Sequence, residues 1–555
     1  MQLTVADFIV RQLIEWGIDT AFGLPGDSVF PFLEAIEHNN KMKFYCVRNE
    51  AAAAYMSSGY GKIMGKPALC IADAGPGSIN LLNGLFDATN DGIPLIAITG
   101  QVPRERLFTT YNQSSNQNAI FNEASAYTAT LTVPEQTGRI LEILVKKALS
   151  ERKAVHLSVP VDLQKMKFTG QILPGPVISI STPKVDFSLI KKACELISRS
   201  KRTVIIAGYG IKGMGEEIAA FAKRIGAGII VTSVAKGAVS EYNPHVIGVL
   251  GEAGNEMAFK IIQEADLIII AGSTWWPEKF VPPAAKVIQI DINAQHLGMG
   301  KRIDMAVMGD LKEIIPAIEQ ELTVKADEKW VEEIKNAHKQ RESFINSFET
   351  ENGYPIHPAR LMLALEKVVP KNAVITVDTG NHTLWFVSNF RASNQDIILS
   401  GMWRIMGFAL PAALGIKTAQ PQRPLVALCG DGGLMQLLGE LATAAQYQLP
   451  VLIIAVKNVS WALEGYKQLL EGYSLTGITF SDVDFARIAN AVGVKAVVIK
   501  KAEELELLIS EGIHANEPIL IEVPTAAVPA PELSRLMGTV NTFKSKNLKP
   551  TFISI

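Results

Sequence analysis

An aspartate and an asparagine after two apolar runs are the residues of this sequence best placed to do chemistry. Asp431 lies in the glycine-rich stretch 430–433, directly after one apolar run, and Asn458 follows the next. If both runs are strands of a parallel sheet, their carboxyl ends meet at one edge, where ligands of α/β proteins bind. Asp431, the Asn458 amide oxygen and a backbone carbonyl near Ser460 would then provide the hard oxygen ligands that Mg²⁺ takes together with phosphate oxygens and water. The sequence therefore predicts a magnesium ion beside a diphosphate.

The glycines around this aspartate have a role of their own. Gly430, Gly432 and Gly433 would let the backbone approach a diphosphate closely, and the amino end of the following helix favours an anion. On its own, a Gly-Asp-Gly triplet more often marks an ordinary strand-turn-helix junction. The second apolar run ending at Asn458 favours the ligand site over the ordinary turn.

Helical patterns alternate with short apolar, β-branched runs along the whole chain, which indicates βαβ units and parallel sheets. We therefore predict an α/β protein with three doubly wound parallel-sheet domains. A Pro- and Ser/Thr-rich stretch, 173–183, and a second connector, 353–358, separate them. The predicted units are residues 1–170, residues 185–335, residues 355–530 and a C-terminal tail, 531–555.

The composition argues against several classes of function. The chain has 555 residues, of which 48% are hydrophobic and 19% charged, and this suits about three or four domains. A net charge of −2 gives no signature of nucleic-acid or anionic-membrane binding. No apolar run reaches the ~18 residues needed to span a bilayer, and the amino terminus lacks an export pattern. We expect a cytoplasmic protein without stable membrane insertion.

The Asp431 and Asn458 pattern resembles the fingerprint of thiamine-diphosphate enzymes of the pyruvate oxidase and acetohydroxyacid synthase family, with Lys457 where the family has the first of two asparagines. The resemblance covers the chain to about residue 530. It implies a pyrimidine-binding, a central FAD-binding-like and a diphosphate-binding domain, in that order, with Mg²⁺ held by Asp431, Asn458 and Ser460. The residues that it places at thiamine diphosphate are Pro25, Gly26, Gly380, Asn381, His382, Arg404, Met406, Gly430, Asp431, Gly432, Gly433 and Asn458.

Glu50 ends a predicted strand and begins an Ala-rich helix, so one interpretation is a helix-start acid that complements the helix dipole. The resemblance implies instead that Glu50 contacts the aminopyrimidine ring and promotes the imino tautomer that removes the thiazolium C2 proton. It also implies that Gln113 contacts the bound intermediate and that Met406 keeps the cofactor bent. In this family Glu50 and Asp431 serve one site from two subunits, so at least a homodimer is implied, and we expect a homotetramer.

The predicted middle unit, residues 185–335, contains a glycine pattern between a strand and a helix, Gly208-Tyr-Gly-Ile-Lys-Gly213. The acidic residue that would bind an NAD ribose at the next strand end is missing, so a standard NAD site is disfavoured. The resemblance implies an extended FAD, and the alternative is a domain kept for structure alone. The implied FAD contacts are Gly208, Gly210, Thr232, Ser233, Gly251, Gly272 and Asp291.

Within the family, three local strings look more like pyruvate oxidase: 25–28, 118–121 and 480–488. The resemblance then implies decarboxylation of a 2-oxo acid, expected to be pyruvate, with oxidation of the hydroxyethyl intermediate through FAD. The string 100–103 also occurs in synthases, so acetolactate formation from two pyruvates is the alternative. A catalytically inactive regulatory paralogue is the second alternative.

Overall fold

The structure is a computed structural model that describes residues 3–175, 183–274, 276–299, 302–323 and 326–544, and side chains as far as residue 537. Parts of the predicted connector 173–183 and of the predicted tail lie outside the described residues. Three six-stranded sheets account for nearly all of the strands, and every strand pair within them is parallel. Helices cover these sheets, which confirms the predicted α/β fold class with three parallel-sheet domains.

The first sheet lies in the amino-terminal part of the chain, together with a short antiparallel strand pair. Its strands and their companions are β1 (Leu3–Thr4), β2 (Thr20–Gly23), β3 (Lys43–Cys46), β4 (Leu69–Ala72), β5 (Leu95–Gln101), β6 (Tyr127–Thr130), β7 (Ala154–Pro160) and β8 (Lys167–Phe168). The helices are α1 (Val5–Glu15), α2 (Phe30–Asn39), α3 (Glu50–Met64), α4 (Pro76–Asn80), α5 (Leu82–Asn90), α6 (Gln117–Phe121), α7 (Thr137–Glu151) and α8 (Val161–Gln164).

The second sheet forms the middle domain. Its strands are β9 (Thr203–Ala207), β10 (Gly228–Val231), β11 (Val246–Val249), β12 (Leu267–Ala271), β13 (Lys286–Asp291) and β14 (Met305–Met308). The helices are α9 (Phe187–Arg199), α10 (Gly215–Ile225), α11 (Glu256–Gln263), α12 (Leu311–Glu321) and α13 (Glu328–Asn346). The central strands form because short β-branched runs are buried on both faces, as in β9 and β12, where every residue is buried.

The third sheet carries most of the predicted site. Its strands are β15 (Val374–Val377), β16 (Asp396–Leu399), β17 (Leu425–Gly430), β18 (Leu452–Lys457), β19 (Lys495–Val498) and β20 (Ile519–Pro524). The helices are α14 (Pro358–Val368), α15 (Asn381–Asn389), α16 (Ala409–Ala419), α17 (Asp431–Gln436), α18 (Glu440–Gln446), α19 (Ala462–Glu471), α20 (Phe485–Ala491), α21 (Leu505–Ile513) and α22 (Pro531–Lys544). The segment predicted as a tail thus begins with a helix, in which Leu533 is buried.

The first and third sheets share one strand order, β3-β2-β4-β5-β7-β6 and β16-β15-β17-β18-β20-β19. The middle sheet has the order β11-β10-β9-β12-β13-β14, in which the direction of winding changes between β9 and β12. In open α/β sheets that point of change is where ligands bind.

Helices α3 and α16, from the first and third domains, pack against each other through glycines. A Cβ on Gly59 would lie 2.7 Å from the carbonyl oxygen of Ala412, and one on Gly415 would lie 2.2 Å from that of Met56. Any side chain at either position would therefore push the helices apart. This close contact joins the two domains within one chain.

The sequence at 434–447 has one helical pattern, but it forms two helices, because the backbone leaves the helical region at Leu437, with φ −128° and ψ 37°. The break brings Glu440 to the start of the first domain's α3, where its Oε1 accepts a hydrogen bond from the Arg48 backbone N–H at 2.9 Å. A contact between domains therefore overrides the local helical pattern. No helix in the described part of the chain is long and apolar enough to cross a membrane.

Candidate functional site

Asp431 is the first residue of α17 and lies at the carboxyl end of β17, with its side chain buried. Its Oδ2 accepts hydrogen bonds from the backbone N–H groups of Asn458 at 2.8 Å and Val459 at 2.6 Å, and its Oδ1 accepts from Gly432 at 2.9 Å. Burial raises the pKa of this carboxyl above its usual value, and the three N–H groups oppose the shift. The structure therefore brings Asp431 and Asn458 together at one sheet edge.

The segment after β18 folds into a tight turn. The Asn458 Oδ1 accepts from the backbone N–H of Ser460 at 3.1 Å and from its hydroxyl at 3.2 Å. Val459 has φ +57°, a left-handed conformation that is costly for a β-branched residue. Such strain persists only where the surroundings hold it, here through the carboxylate of Asp431.

These residues suit Mg²⁺ only if a ligand supplies further oxygens. In the described residues, no group of three or more His, Cys, Asp or Glu side chains could hold a metal by itself. One carboxylate, one amide oxygen and a backbone carbonyl leave the rest of an octahedral shell to phosphate oxygens and water. The donor set therefore fits a metal that arrives with a diphosphate.

The loop after β15 adds a polar cradle beside this edge. A Cβ on Gly430 would lie 2.7 Å from the His382 ring, and one on Gly380 would lie 2.9 Å from it, so the imidazole fills the space between two glycines. The His382 Nε2 and the Asn381 Oδ1 are buried and have no hydrogen-bond partner among the described residues. Burial lowers the pKa of His382 to about 4, so the ring is neutral at neutral pH. Buried polar atoms without partners are costly, and they fit the polar groups of a bound ligand.

Asp378, directly after β15, is a buried carboxylate at the centre of this cradle. Its Oδ2 accepts from the Gly407 N–H at 3.0 Å, and its Oδ1 accepts from Phe408 at 3.2 Å and Thr379 at 2.9 Å. A Cβ on Gly433 would lie 2.1 Å from its Oδ2, so this glycine is required by the carboxylate. The signal in the sequence was an aspartate placed directly after a buried strand.

Desolvation raises the pKa of Asp378 to about 7, which predicts a specific pH dependence of stability. A carboxyl whose folded pKa lies above its unfolded value contributes stability below the unfolded pKa and loses it as pH rises through the folded pKa. Asp378→Asn removes this loss, because asparagine does not ionise. We therefore expect the difference in unfolding free energy, variant minus parent, to increase by about 2–3 kcal/mol from pH 5 to pH 8. Urea unfolding of both cofactor-free proteins at several pH values measures the difference, and a difference that does not change with pH would contradict the assignment.

Segment 400–408 connects β16 to α16 and carries Arg404 and Met406. Arg404 is exposed and has φ +53°, and Gly407 has φ +80°. Met406 is half-buried beside the backbone that Asp378 binds. A Cβ on Gly407 would lie 3.3 Å from the Gly433 carbonyl oxygen, so the segment lies against the glycine turn at 430–433.

Glu50 is buried at the first position of α3, where Asn49 caps the helix. Its Oε2 accepts a hydrogen bond from the Asn80 side-chain amide at 2.9 Å, and a Cβ on Gly77 would lie 3.0 Å from its Oε1. An exposed carboxylate is enough to complement a helix dipole. Complementing the helix dipole does not require burial, yet Glu50 is buried beneath the glycine turn at 75–77.

Gln113 lies on the other side of the same turn. It is exposed, has φ +61°, and would contact a Cβ on Gly75 at 2.8 Å. Glu50 and Gln113 are therefore gathered around the turn at 75–77.

Pro25 and Gly26 follow β2 at the same end of the first sheet. A Cβ on Gly26 would lie within 2.6 Å of the Asp73 carboxyl, whose Oδ1 accepts from the Ser28 backbone N–H at 3.0 Å. Asp73 was not anticipated, although it too follows a buried strand directly.

In the middle domain, the glycine turns after β9 and β12 bind each other. The N–H groups of Gly208 and Gly210 donate to the carbonyl oxygens of Ala271 and Gly272, both at 2.9 Å. A Cβ on Gly208 would lie 2.3 Å from the Gly272 carbonyl oxygen. These glycines are therefore explained by contact between two loops, and their N–H groups are already used.

The other predicted flavin contacts lie along the outer part of the same edge. The Thr232 hydroxyl, at the end of β10, is buried without a partner in the described residues, and Ser233 follows it. Gly251 follows β11 with φ +102°. Asp291 ends β13, and its Oδ1 accepts from the Asn293 N–H at 2.9 Å. The unpartnered Thr232 hydroxyl thus lies on this outer rim, whereas the N–H groups of Gly208 and Gly210 are already hydrogen-bonded.

The predicted residues thus fall into separate groups. Glu50, Gln113, Pro25 and Gly26 lie at one end of the first sheet, and the metal and diphosphate residues lie at one end of the third. Among the described residues, no hydrogen bond or ion pair joins these two groups.

Comparison with known families gives three matches. The C-terminal TPP binding domain of thiamine pyrophosphate enzymes matches residues 378–523, the N-terminal TPP binding domain matches 3–121, and the central domain matches 190–318. Thiamine pyrophosphate and thiamine diphosphate are the same compound.

Individual relatives align over nearly the whole chain. A putative thiamine pyrophosphate-containing protein, YdaP, of Bacillus subtilis is 30% identical over 99% of this chain and 96% of its own length. A probable acetolactate synthase large subunit of Methanocaldococcus jannaschii is 30% identical over 99% of this chain and 98% of its own. A pyruvate oxidase of Lactiplantibacillus plantarum is 26% identical over 94% of this chain and 89% of its own.

Proposed function

Because the chain belongs to the thiamine pyrophosphate enzymes, we propose that it is a pyruvate oxidase that depends on thiamine diphosphate, Mg²⁺ and FAD. The observation that carries the proposal is the cradle of Asp431, Asn458, Asn381 and His382, in which buried polar atoms lack partners. Thiamine diphosphate, when bound, supplies a carbon nucleophile and an electron sink for the loss of CO₂ from a 2-oxo acid.

The residues of the third domain would hold the diphosphate end. Asp431, Asn458 and the backbone near Ser460 would bind Mg²⁺, and the unpartnered side-chain atoms of Asn381 and His382 would lie beside the diphosphate. Met406 and the backbone at Arg404 contact the ring end, since segment 400–408 lies against the same glycine turn. Each of these residues binds or orients, and none of them transfers a proton.

The first domain would supply the proton chemistry. Glu50 would share a proton with the aminopyrimidine ring nitrogen. Among the described residues its carboxyl accepts one side-chain amide, that of Asn80, at its Oε2, which leaves the Oε1 for a ligand. Gln113, on the opposite side of turn 75–77, contacts the 2-oxo acid. Since Glu50 and Asp431 have no contact within the described chain, we propose that each site combines the Glu50 of one subunit with the Asp431 of another, in a homodimer or homotetramer.

FAD would lie along the outer rim of the middle domain, with Thr232, Ser233, Gly251 and Asp291 as its contacts. Support comes from the unpartnered Thr232 hydroxyl. The turns at Gly208, Gly210 and Gly272 would form the edge of the site and would not bind the phosphates of FAD. After pyruvate loses CO₂, the two-carbon unit that remains would be oxidised to an acetyl group, and this flavin would take up the two electrons.

The alternative is acetolactate synthase, which is favoured by relatives of that name at similar identity. One experiment separates the two. The protein is incubated with pyruvate, thiamine diphosphate, Mg²⁺ and FAD under nitrogen, and flavin absorbance, CO₂ and acetolactate are followed together. The proposal expects flavin bleaching in proportion to CO₂ release.

Two results would contradict it. Acetolactate formed without flavin reduction would replace the oxidase by the synthase. A protein that binds thiamine diphosphate but shows no flavin spectrum after reconstitution would remove FAD from the proposal. A parallel panel of 2-oxo acids with longer side chains tests the preference for pyruvate.

A further inference from the structure

A buried cluster of charges connects the first domain to the third. The Lys62 Nζ, in the last turn of α3, lies 2.8 Å from the Asp87 Oδ2 and 2.7 Å from the Asp91 Oδ2. The three side chains are 6%, 0% and 11% exposed. Ser58 also donates to the Asp87 Oδ2 at 2.6 Å. Charges at this depth require partners, so the cluster has a defined geometry.

The cluster binds backbone groups on both sides of the junction between β16 and segment 400–408. Lys62 donates to the carbonyl oxygen of Leu399 at 2.9 Å. The two carboxylate oxygens of Asp91 accept from the backbone N–H groups of Gly401 and Met402, both at 2.8 Å. One carboxylate of the first domain therefore fixes two consecutive peptide groups of the third.

The same segment is held at its other end by its own domain. Asp378 accepts from Gly407 and Phe408, and the Ser400 hydroxyl accepts from the Ile405 N–H at 3.1 Å. Lys62 adds a further contact there, since its Nζ lies 4.5 Å from the centre of the Phe408 ring. Side chains, rather than a helix or strand ladder, thus specify the backbone of this segment.

An aromatic contact reports on the middle of the segment. The Trp403 ring stacks on Phe86 of α5, with centroids 4.6 Å apart and planes inclined by 10°. Trp403 remains 40% exposed, so a quencher in solution can reach it. The next residue, Arg404, holds its left-handed φ of +53° between these anchors.

We propose that Asp91 and Lys62 are positioning residues that set where segment 400–408 presents Arg404 and Met406 to the cofactor. The first domain of a chain would then fix the ring-binding part of that chain's own cofactor site, although its Glu50 serves a different one. The inference rests on the proposed function for its catalytic consequence. Its structural consequence, a segment that loosens when Asp91 changes, holds without any cofactor.

The test compares Asp91→Asn with the parent and with Asp396→Asn. Asp396 begins β16, at the opposite end of the strand from the segment, and pairs with Lys212 at 3.0 Å and Arg423 at 2.8 Å. This control loses two ion pairs, one to Arg423 of its own domain and one to Lys212 of the middle domain, but leaves segment 400–408 untouched. Asp91→Glu, which keeps the charge and displaces the carboxylate, makes the same test if Asp91→Asn does not fold.

The first measurement uses cofactor-free protein. Iodide quenching of Trp403, obtained as the difference from a Trp403→Phe background, is expected to increase about twofold in Asp91→Asn and to stay at the parent value in Asp396→Asn. The second measurement uses protein reconstituted with thiamine diphosphate, Mg²⁺ and FAD, and follows turnover of pyruvate with an added electron acceptor. We expect kcat to fall by about 10²-fold, the loss typical of a small misplacement, while the dissociation constant of the cofactor rises less than about threefold because the metal end is unchanged.

The outcomes are distinguishable. Unchanged quenching, or equal loss of kcat in Asp91→Asn and Asp396→Asn, would overturn the positioning role. A kcat in Lys62→Arg, which keeps the charge, that is higher than in Lys62→Met supports the positioning role. A kcat in Lys62→Arg as low as in Lys62→Met would contradict it. A parent that binds no thiamine diphosphate refutes the proposed function, and the quenching result then still decides whether Asp91 holds the segment.

Discussion

Replacing Glu50 by glutamine is expected to lower kcat by about 10²–10⁴-fold, the range for loss of a positioned proton-transfer group. Glutamine has the same shape and can still accept from Asn80, so the turn at 75–77 keeps its packing. It cannot hold the proton that the proposed mechanism places at the aminopyrimidine ring. Binding of thiamine diphosphate and Mg²⁺ is expected to change little, because in the proposed site the residues of the third domain hold the diphosphate and the metal. Steady-state kinetics with pyruvate, together with calorimetric titration of the cofactor, measure both quantities.

A matched control separates this role from that of a helix-start acid. Glu256 lies in the first turn of α11 and is exposed, so Glu256→Gln removes a helix-start charge far from the candidate site. If Glu50 only complements the dipole of α3, both changes cost at most about 1 kcal/mol of stability and leave kcat intact. Full activity in Glu50→Gln would therefore contradict the assignment.

Replacing Asp431 by asparagine is expected to abolish assembly of the cofactor site. Asp431 is the only charged member of the predicted Mg²⁺ ligand set, and its Oδ2 also holds the N–H groups of Asn458 and Val459. An amide in its place removes the charge and turns either an N–H or a weaker acceptor toward the metal. Because changes even to groups behind metal ligands cost 10–100-fold, we expect affinity for thiamine diphosphate with Mg²⁺ to fall by more than about 10²-fold.

Titration calorimetry with and without a chelator measures this change. The parent should lose affinity when Mg²⁺ is removed, whereas Asp431→Asn should bind weakly in both conditions. Asp484→Asn is the control, since Asp484 caps α20 in the same domain and accepts from the Arg487 N–H. A variant at Asp431 that binds like the parent, with the same dependence on Mg²⁺, would rule out the metal site.

The sequence was sufficient for the fold class, because buried β-branched runs and helical patterns alternate at spacings that only parallel sheets satisfy. It also placed Asp431 and Asn458 correctly beside each other, since both follow strands whose ends must meet. It did not identify Asp378, Asp73 or the cluster of Lys62 with Asp91. Their partners are backbone N–H groups in distant segments, and such contacts depend on how domains pack rather than on local pattern.

The same limit explains two local differences. The break between α17 and α18 follows from Glu440 binding the first domain at Arg48, which no helical periodicity records. In the middle domain, the glycine pattern at 208–213 indicated a phosphate turn, yet two of its N–H groups bind the neighbouring loop. A glycine required by a backbone contact and one required by a ligand look identical in a sequence.

The shared strand order of the first and third sheets makes the two domains structural counterparts. Counterpart positions in the two domains carry counterpart residues: Asp73 directly follows β4, the third strand of its sheet, and Asp431 directly follows β17, the third strand of the other. Helices α3 and α16, which each follow a second strand, meet through reciprocal glycines, as like surfaces meet in a symmetric dimer. Within one chain, the first and third domains therefore meet as two copies of one architecture, much as the subunits of a homodimer do. The two copies carry different acids near the carboxyl ends of their strands, Glu50 after β3 in one and Asp431 after β17 in the other.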